Sequence, residues 1–123
     1  MLKWKFFKIW FPVAFYSGII FYVSSLPNLK VPFNWAHADK ILHFLEYLPF
    51  GFFLVQAIRK TKRGSRSSSE ILLGAFWGAL LYGSSDEFHQ LFVIGRSCSL
   101  ADLMFDVFGS MVGGWLNANY KAV

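Results

Sequence analysis

The sequence predicts an all-α, polytopic membrane protein, with four transmembrane helices in a small bundle. The chain has 123 residues, which leaves room for a single domain over 1–123. Hydrophobic residues make up 55% and charged residues only 15%, whereas soluble domains carry about 25% charged residues. Four apolar runs divide the chain, each suited to one membrane crossing. Because so few charges cannot cover a protein surface, we expect the lipid bilayer to cover part of it.

The first predicted span covers residues 6–26, with Pro12 near its first turn, where a missing N–H costs least. No A-x-A-like cleavage site follows this span, so we interpret it as a retained anchor, with a cleaved signal peptide as the alternative. A loop at 27–38 is rich in proline and asparagine. The remaining spans are predicted at about 39–58, 70–92 and 100–116. Between the second and third lies a connector rich in serine, which includes Ser67, Ser68 and Ser69.

The basic residues predict the orientation. They concentrate at the N-terminus and in the loop 59–66, whereas the loop 27–38 and the turn 93–99 hold only Lys30 and Arg96. The positive-inside rule then places both termini in the cytoplasm, and Lys121 agrees for the C-terminus. This distribution accounts for the net charge of +5, so we expect no nucleic-acid partner.

Small residues spaced four apart predict where helices pack closely. Gly74 and Gly78 form such a pair on the third span, and two more pairs lie on the fourth, Gly109 with Gly113 and Ser110 with Gly114. The lone cysteine, Cys98, excludes an internal disulfide and a four-cysteine zinc site.

Six of the seven acidic residues map to the predicted outer halves of the last three spans: Asp39, Glu46, Asp86, Glu87, Asp102 and Asp106. Helical spacing places Asp39, Glu46 and His43 on one face, and Asp86, Glu87 and Gln90 on another. Six acids against Lys40 and Arg96 leave a formal charge of −4. Shared protons, a bound cation or a cationic ligand must neutralise this charge, so we predict a functional pocket.

Structural roles are the alternatives for single members of this set. Asp39 is a candidate N-cap, and Ser99 with Asp102 resembles a capping box. Arg96 is a candidate partner for Asp86 or Glu87, in a salt bridge that holds the turn.

Two sequence blocks carry a resemblance to the VanZ-like family of small bacterial membrane proteins. The first is A-D-K-I-L-H-F-L-E-Y-L-P-F-G, with Asp39, Lys40, His43, Glu46, Tyr47 and Gly51. The second is S-D-E-F-H-Q-L-F-V-I-G-R-S-C-S-L-A-D-L-M-F-D-V-F-G, with Asp86, Glu87, Gln90, Phe92, Gly95, Arg96, Asp102 and Gly109. The resemblance covers about residues 35–115. Ile94 replaces a usual proline and Asp106 a usual asparagine, and the latter adds a charge.

The resemblance implies a multi-pass protein of the bacterial cell membrane. It also implies an association with resistance to the glycopeptide teicoplanin, as for the founding member. The predicted outward position of the pocket agrees with this association, because glycopeptides act on cell-wall precursors outside the membrane.

Our leading hypothesis is a pocket that binds a polar, lipid-linked cell-envelope precursor or a glycopeptide. Asp86, Glu87 and Gln90 are the expected acceptors, and Lys40, His43 and Arg96 the expected partners of anionic groups. The other residues expected to contribute to binding are Asp39, Glu46, Tyr47, Asp102 and Asp106.

The alternative is a divalent-cation-dependent hydrolase or transferase acting on lipid-linked phosphates at the outer leaflet. Asp86, Glu87 and His43 are then the catalytic candidates, since carboxylates and imidazole are plausible ligands or general bases. No H-E-x-x-H spacing is present. A scaffolding role and ion transport remain further alternatives, and transport is weakened because the inner halves of the spans lack ionisable groups. The sequence leaves the oligomeric state open.

Overall fold

The computed structural model describes residues 1–29, 37–61 and 67–120, and every regular element within these ranges is an α-helix. The helices are α1 (Leu2–Ser24), α2 (Ala38–Thr61), α3 (Ser68–Gln90) and α4 (Leu100–Asn119). The predicted all-helical class is therefore confirmed. The predictions for 30–36, for the basic loop at 62–66 and for Lys121 lie outside the described residues.

Two predicted boundaries need correction. α1 already begins at Leu2, so Pro12 lies in the helix interior and not near the first turn. Ser68 and Ser69 belong to α3 and not to the connector. The cause is the side chain of Ser67, whose hydroxyl accepts a hydrogen bond from the Glu70 N–H and so caps the helix at 3.3 Å.

Two of the described helices, α1 and α2, are long and apolar enough to cross a membrane. Each contains an 18-residue window with a mean hydropathy of 1.5. The sequences of α3 and α4 are interrupted by acidic residues, Asp86 and Glu87 in one and Asp102 and Asp106 in the other. Large apolar side chains are nevertheless exposed on both, for example Trp77 and Phe108.

The closest packing in the bundle is between α2 and α4. A Cβ atom at Gly109 would overlap the carbonyl oxygen of Phe44, and one at Gly113 would overlap that of Leu48. The two backbones are thus in direct contact, which only glycine permits at these positions. Small residues of α4 therefore determine how close the two helices lie, as their spacing in the sequence predicts.

The apolar core lies beside this contact. It comprises buried residues from α1, α2 and α3: Val13, Ile20, Tyr47, Phe50, Leu54, Val55, Ala57, Ala75 and Ala79. The predicted glycine pair of α3 also faces α2. Gly78 lies against the side chain of Leu54, and Gly74 lies against that of Ile58. The core holds α1 and α3 against the α2–α4 pair.

The turn between α3 and α4 is joined to the end of α1. Gly95 adopts a left-handed conformation with φ of +77° and lies against Asn28. The Asn28 N–H donates to the Ile94 carbonyl at 2.9 Å. The Arg96 guanidinium donates to the carbonyls of Val23 at 2.7 Å and Leu26 at 3.3 Å. The Arg96 bonds supply partners for one carbonyl in the last turn of α1 and one just beyond it.

Candidate functional site

Three helices bring acidic residues to one end of the bundle, which we call the acidic end. It is formed by the first turns of α2 and α4 and the last turns of α3. Side chains there form a connected group that we call the acidic cluster: Asp39, Lys40, His43, Glu87, Asp102 and Asp106. Helix packing thus unites residues that are up to 67 positions apart in the chain, from Asp39 to Asp106.

The imidazole of His43 is at the centre of the cluster. Its Nδ1 lies 2.8 Å from Asp106 Oδ1, a hydrogen-bond distance, and 3.8 Å from Glu87 Oε1. Its Nε2 lies 3.8 Å from Asp102 Oδ2. One imidazole of α2 therefore faces carboxylates from both α3 and α4.

Lys40 supplies the cation of the cluster. Its ammonium donates to Asp102 Oδ1 at 2.6 Å and to Asp39 Oδ2 at 2.8 Å. α2 begins at Ala38, so Asp39 lies inside the first turn and is not the N-cap. The lysine thereby connects the beginning of α2 to the beginning of α4.

Glu87 takes part in the cap of α4. The Ser99 hydroxyl accepts from the Asp102 N–H at 3.4 Å, as expected for an N-cap. A capping box would return the Asp102 carboxylate to the Ser99 N–H, but that N–H donates to Glu87 Oε2 at 3.0 Å. The Asp102 carboxylate is thereby available to Lys40.

Exposure falls steadily from one side of the cluster to the other. The side chain of Asp39 is 45% exposed, Lys40 21%, His43 11% and Asp106 0%. The cluster therefore extends from partly exposed side chains at the beginning of α2 to buried ones between α2, α3 and α4. Such a gradient is expected where side chains lead from the end of a helical bundle into its interior.

Several buried acceptors have no hydrogen-bond partner within the described ranges. They include Glu87 Oε1 and Asp106 Oδ2, both in the cluster, and Asp86 Oδ1 beside it. An unpaired buried carboxylate oxygen is costly. These atoms are therefore the positions at which a ligand, a cation or a proton gains most from binding.

Other predicted site residues have separate partners. Asp86 Oδ2 accepts from the buried Tyr47 hydroxyl at 2.9 Å. Arg96 binds carbonyls at the end of α1, and no ion pair joins it to Asp86 or Glu87 among the described contacts. Gln90 is buried and Glu46 is partly buried. The Glu46 main-chain carbonyl accepts from Tyr16 of α1 at 2.7 Å.

Two contacts at the acidic end lie outside the sequence-based prediction. His89 stacks on Phe21 with ring centroids 4.5 Å apart, and its Nε2 is 2.9 Å from Ser25 Oγ. Helical spacing places this histidine off the acidic face, which is why it contacts α1. The bond from the Ser99 N–H to Glu87 was also not predicted, although a helix N-terminus always requires acceptors.

Comparison with known proteins agrees with the residue pattern. The model of the VanZ/LLP1 family matches residues 2–119, which extends beyond the two sequence blocks to include α1. No curated protein and no solved structure matches the chain. A family match over nearly the whole chain establishes that this protein belongs to the VanZ/LLP1 family.

Proposed function

We propose that this protein crosses a bacterial cell membrane four times and binds a lipid-linked cell-envelope precursor at its acidic end. Binding of the precursor then contributes to glycopeptide resistance. In this arrangement both termini are cytoplasmic and the acidic end faces the outer leaflet. The family match and the two apolar helices support a membrane location. The bases at the opposite end, including Lys3, Lys5 and Arg59, support the orientation.

The observation that carries the proposal is the combination of depth and unpaired acceptors. The cluster extends from the partly exposed Asp39 and Lys40 to Asp106, which is fully buried. Glu87 Oε1 and Asp106 Oδ2 lie at the buried side without partners in the described chain. A purely structural salt-bridge network would satisfy its buried atoms internally.

The chemistry of the cluster indicates which groups of a precursor would bind. Carboxylate oxygens accept hydrogen bonds from hydroxyl, amide and ammonium groups, which sugars and peptides carry. The Lys40 ammonium donates two of its three N–H groups to Asp39 and Asp102, so its third N–H is the donor that remains for a phosphate. A precursor held in this way is less accessible to a glycopeptide, which links the site to resistance.

A matched pair of variants on α3 tests the proposal. Glu87→Gln keeps the size of the side chain but removes the acceptor charge, whereas Glu70→Gln makes the same change at the exposed, opposite end of the helix. We expect Glu87→Gln to lower the inhibitory concentration of teicoplanin to that of cells without the protein. Glu70→Gln is expected to retain wild-type resistance, with equal amounts of each variant in the membrane fraction.

Binding of a fluorescent lipid-linked wall precursor to the purified protein in detergent provides the direct measurement. We expect saturable binding that Glu87→Gln weakens at least tenfold. Full resistance in cells carrying Glu87→Gln, at wild-type membrane levels, would contradict the proposal. Saturable binding of teicoplanin without binding of the precursor would instead make the antibiotic the ligand and reject the precursor.

A further inference from the structure

We infer that His43, Glu87 and Asp106 form a binding site for a divalent transition-metal cation of the Zn²⁺ or Mn²⁺ type. Each of the three side chains belongs to a different helix, α2, α3 and α4. One ligating atom from each lies within 4.8 Å of the others. The inference depends on this geometry and on the two buried oxygen atoms described below, and it is independent of the proposed precursor.

The spacing of the three groups suits a shared ion. Ligand atoms that bind one such ion at about 2.1 Å lie roughly 3–4 Å apart. The distance from His43 Nδ1 to Glu87 Oε1 is 3.8 Å, within this range. The shorter contact between His43 Nδ1 and Asp106 Oδ1, at 2.8 Å, is a hydrogen bond that a cation would replace.

The unpaired oxygens provide the second observation. Glu87 Oε1 and Asp106 Oδ2 are buried and have no hydrogen-bond partner among the described residues. The Glu87 side chain is 3% exposed and that of Asp106 is fully buried. A cation bound between the three side chains would satisfy Glu87 Oε1 directly, and it would also satisfy Asp106 Oδ2 if that carboxylate binds through both of its oxygens.

A neighbouring backbone group holds one of the three ligands in place. The Ser99 N–H fixes the second oxygen of Glu87 at 3.0 Å, so Oε1 remains directed at His43. Asp102 Oδ2 lies 3.8 Å from Nε2 of His43, on the far side of the imidazole. At this distance the carboxylate makes no hydrogen bond to the imidazole, so it contributes only a negative charge behind the ring. These contacts distinguish the three residues from an incidental group of acids.

The charge of the cluster favours a divalent ion. Its four carboxylates, Asp39, Glu87, Asp102 and Asp106, are opposed by Lys40. With a neutral imidazole the excess is three negative charges, and a divalent cation reduces this to one. Three of the four carboxylates are buried. Because buried negative charge is costly, binding of the ion stabilises the folded protein.

The donor atoms determine the class of metal. Mg²⁺ and Ca²⁺ prefer ligand sets made only of oxygen, whereas imidazole nitrogen favours transition metals. For a given site, affinity generally rises from Mn²⁺ to Zn²⁺. We therefore expect the order Zn²⁺, then Mn²⁺, then Mg²⁺ and Ca²⁺.

Thermal unfolding of the full chain in detergent tests the site. The protein is treated with EDTA, dialysed, and titrated with each of the four cations separately. All measurements use a Cys98→Ser background, because the exposed thiol is itself a potential zinc ligand. We expect Zn²⁺ and Mn²⁺ to raise the midpoint in a concentration-dependent way.

Three variants define the ligands. Glu87→Gln and Asp106→Asn are each expected to weaken Zn²⁺ binding at least tenfold, measured by equilibrium dialysis with metal analysis. Glu70→Gln, at the opposite end of α3, is expected to bind as tightly as the parent. If a ligand variant does not fold, visible absorption of Co²⁺ added to the parent protein still tests the site, because a four- or five-coordinate ion absorbs much more strongly than the ion in water.

The outcomes are distinct. Absence of saturable binding of Zn²⁺ and Mn²⁺ to the folded parent protein would overturn the inference, as would unchanged affinity in both ligand variants. A stronger response to Mg²⁺ or Ca²⁺ than to Zn²⁺ would reject the assigned metal class. Metal binding together with full resistance in Glu87→Gln cells would reject the proposed function and leave the cation site in place.

Discussion

The contact between α2 and α4 and the attachment of α1 are made in different ways. α4 lies against α2 through glycines, with carbonyls of Phe44 and Leu48 in direct contact with its backbone. α1 is instead attached through its apolar residues and through hydrogen bonds from side chains, such as Tyr16 to Glu46 and Arg96 to Val23. Its outer face exposes a series of aromatic rings, from Trp4 to Phe15.

The difference indicates which part of the molecule positions the site. His43 of α2 and Asp106 of α4 are brought to 2.8 Å by the backbone contact, and small changes in that contact would separate them. α1 contributes no residue to the acidic cluster. The α2–α4 contact is therefore the part of the fold that should tolerate substitution least.

The largest expected effect is at Gly113. In Gly113→Ala the new Cβ would overlap the Leu48 carbonyl, so the helices must separate. We expect a loss of about 3 kcal/mol in the free energy of unfolding, measured by denaturation in detergent. The matched control is Gly18→Ala on α1, where nothing lies within 4 Å of the added methyl.

Gly18→Ala should instead stabilise the protein by about 0.5–1 kcal/mol, because alanine has the higher helix propensity. Equal stability of the two alanine variants would show that α2 and α4 are not in backbone contact.

The next prediction compares the loss of a tyrosine hydrogen bond to a buried carboxylate with the loss of one to a main-chain carbonyl. Tyr47→Phe would leave the buried Asp86 carboxylate without a hydrogen bond in the described chain, since Oδ1 already has none. We expect a loss of about 2 kcal/mol. Tyr16→Phe removes a bond to the Glu46 carbonyl on the α1 side, and about 1 kcal/mol is expected. A reversed order would place the more important polar contact on α1.

The smallest effect is local. Arg96→Ala removes two hydrogen bonds to carbonyls at the end of α1, so residues 20–26 should exchange amide hydrogens faster. A global cost of about 1 kcal/mol is expected, with unchanged exchange in the second half of α4. Lys8→Ala, at the other end of α1, serves as the control. Faster exchange throughout α4 would show that the turn also supports the α2–α4 contact.

The sequence predicts more of the fold than of the site. The apolar runs predict the four helices, and the spacing of Gly109 and Gly113 predicts one close contact. Both features can be recognised within the sequence of a single helix. The end of the bundle that holds the acids also follows from their positions in the chain. Pro12 was misplaced because the lysines before it concealed the true start of α1.

Pairing between helices was beyond the sequence pattern. Helical spacing places Asp86 and Glu87 on one face, but their partners differ. Asp86 accepts a hydrogen bond from Tyr47. Glu87 accepts one from the Ser99 N–H and lies near His43. Arg96 has acidic residues nearby in the chain, but its partners are the carbonyls of Val23 and Leu26. Such choices depend on the rotation of neighbouring helices about their axes, which no single helix encodes.

The bond between Glu87 and Ser99 has a practical consequence. Cys98, the only cysteine of the sequence, is exposed and directly precedes Ser99. A fluorophore attached to this thiol is therefore one residue away from a group that contacts the acidic cluster. The native chain thus provides a reporter position at which occupancy of the cluster can be followed optically, without a cysteine having to be added or removed.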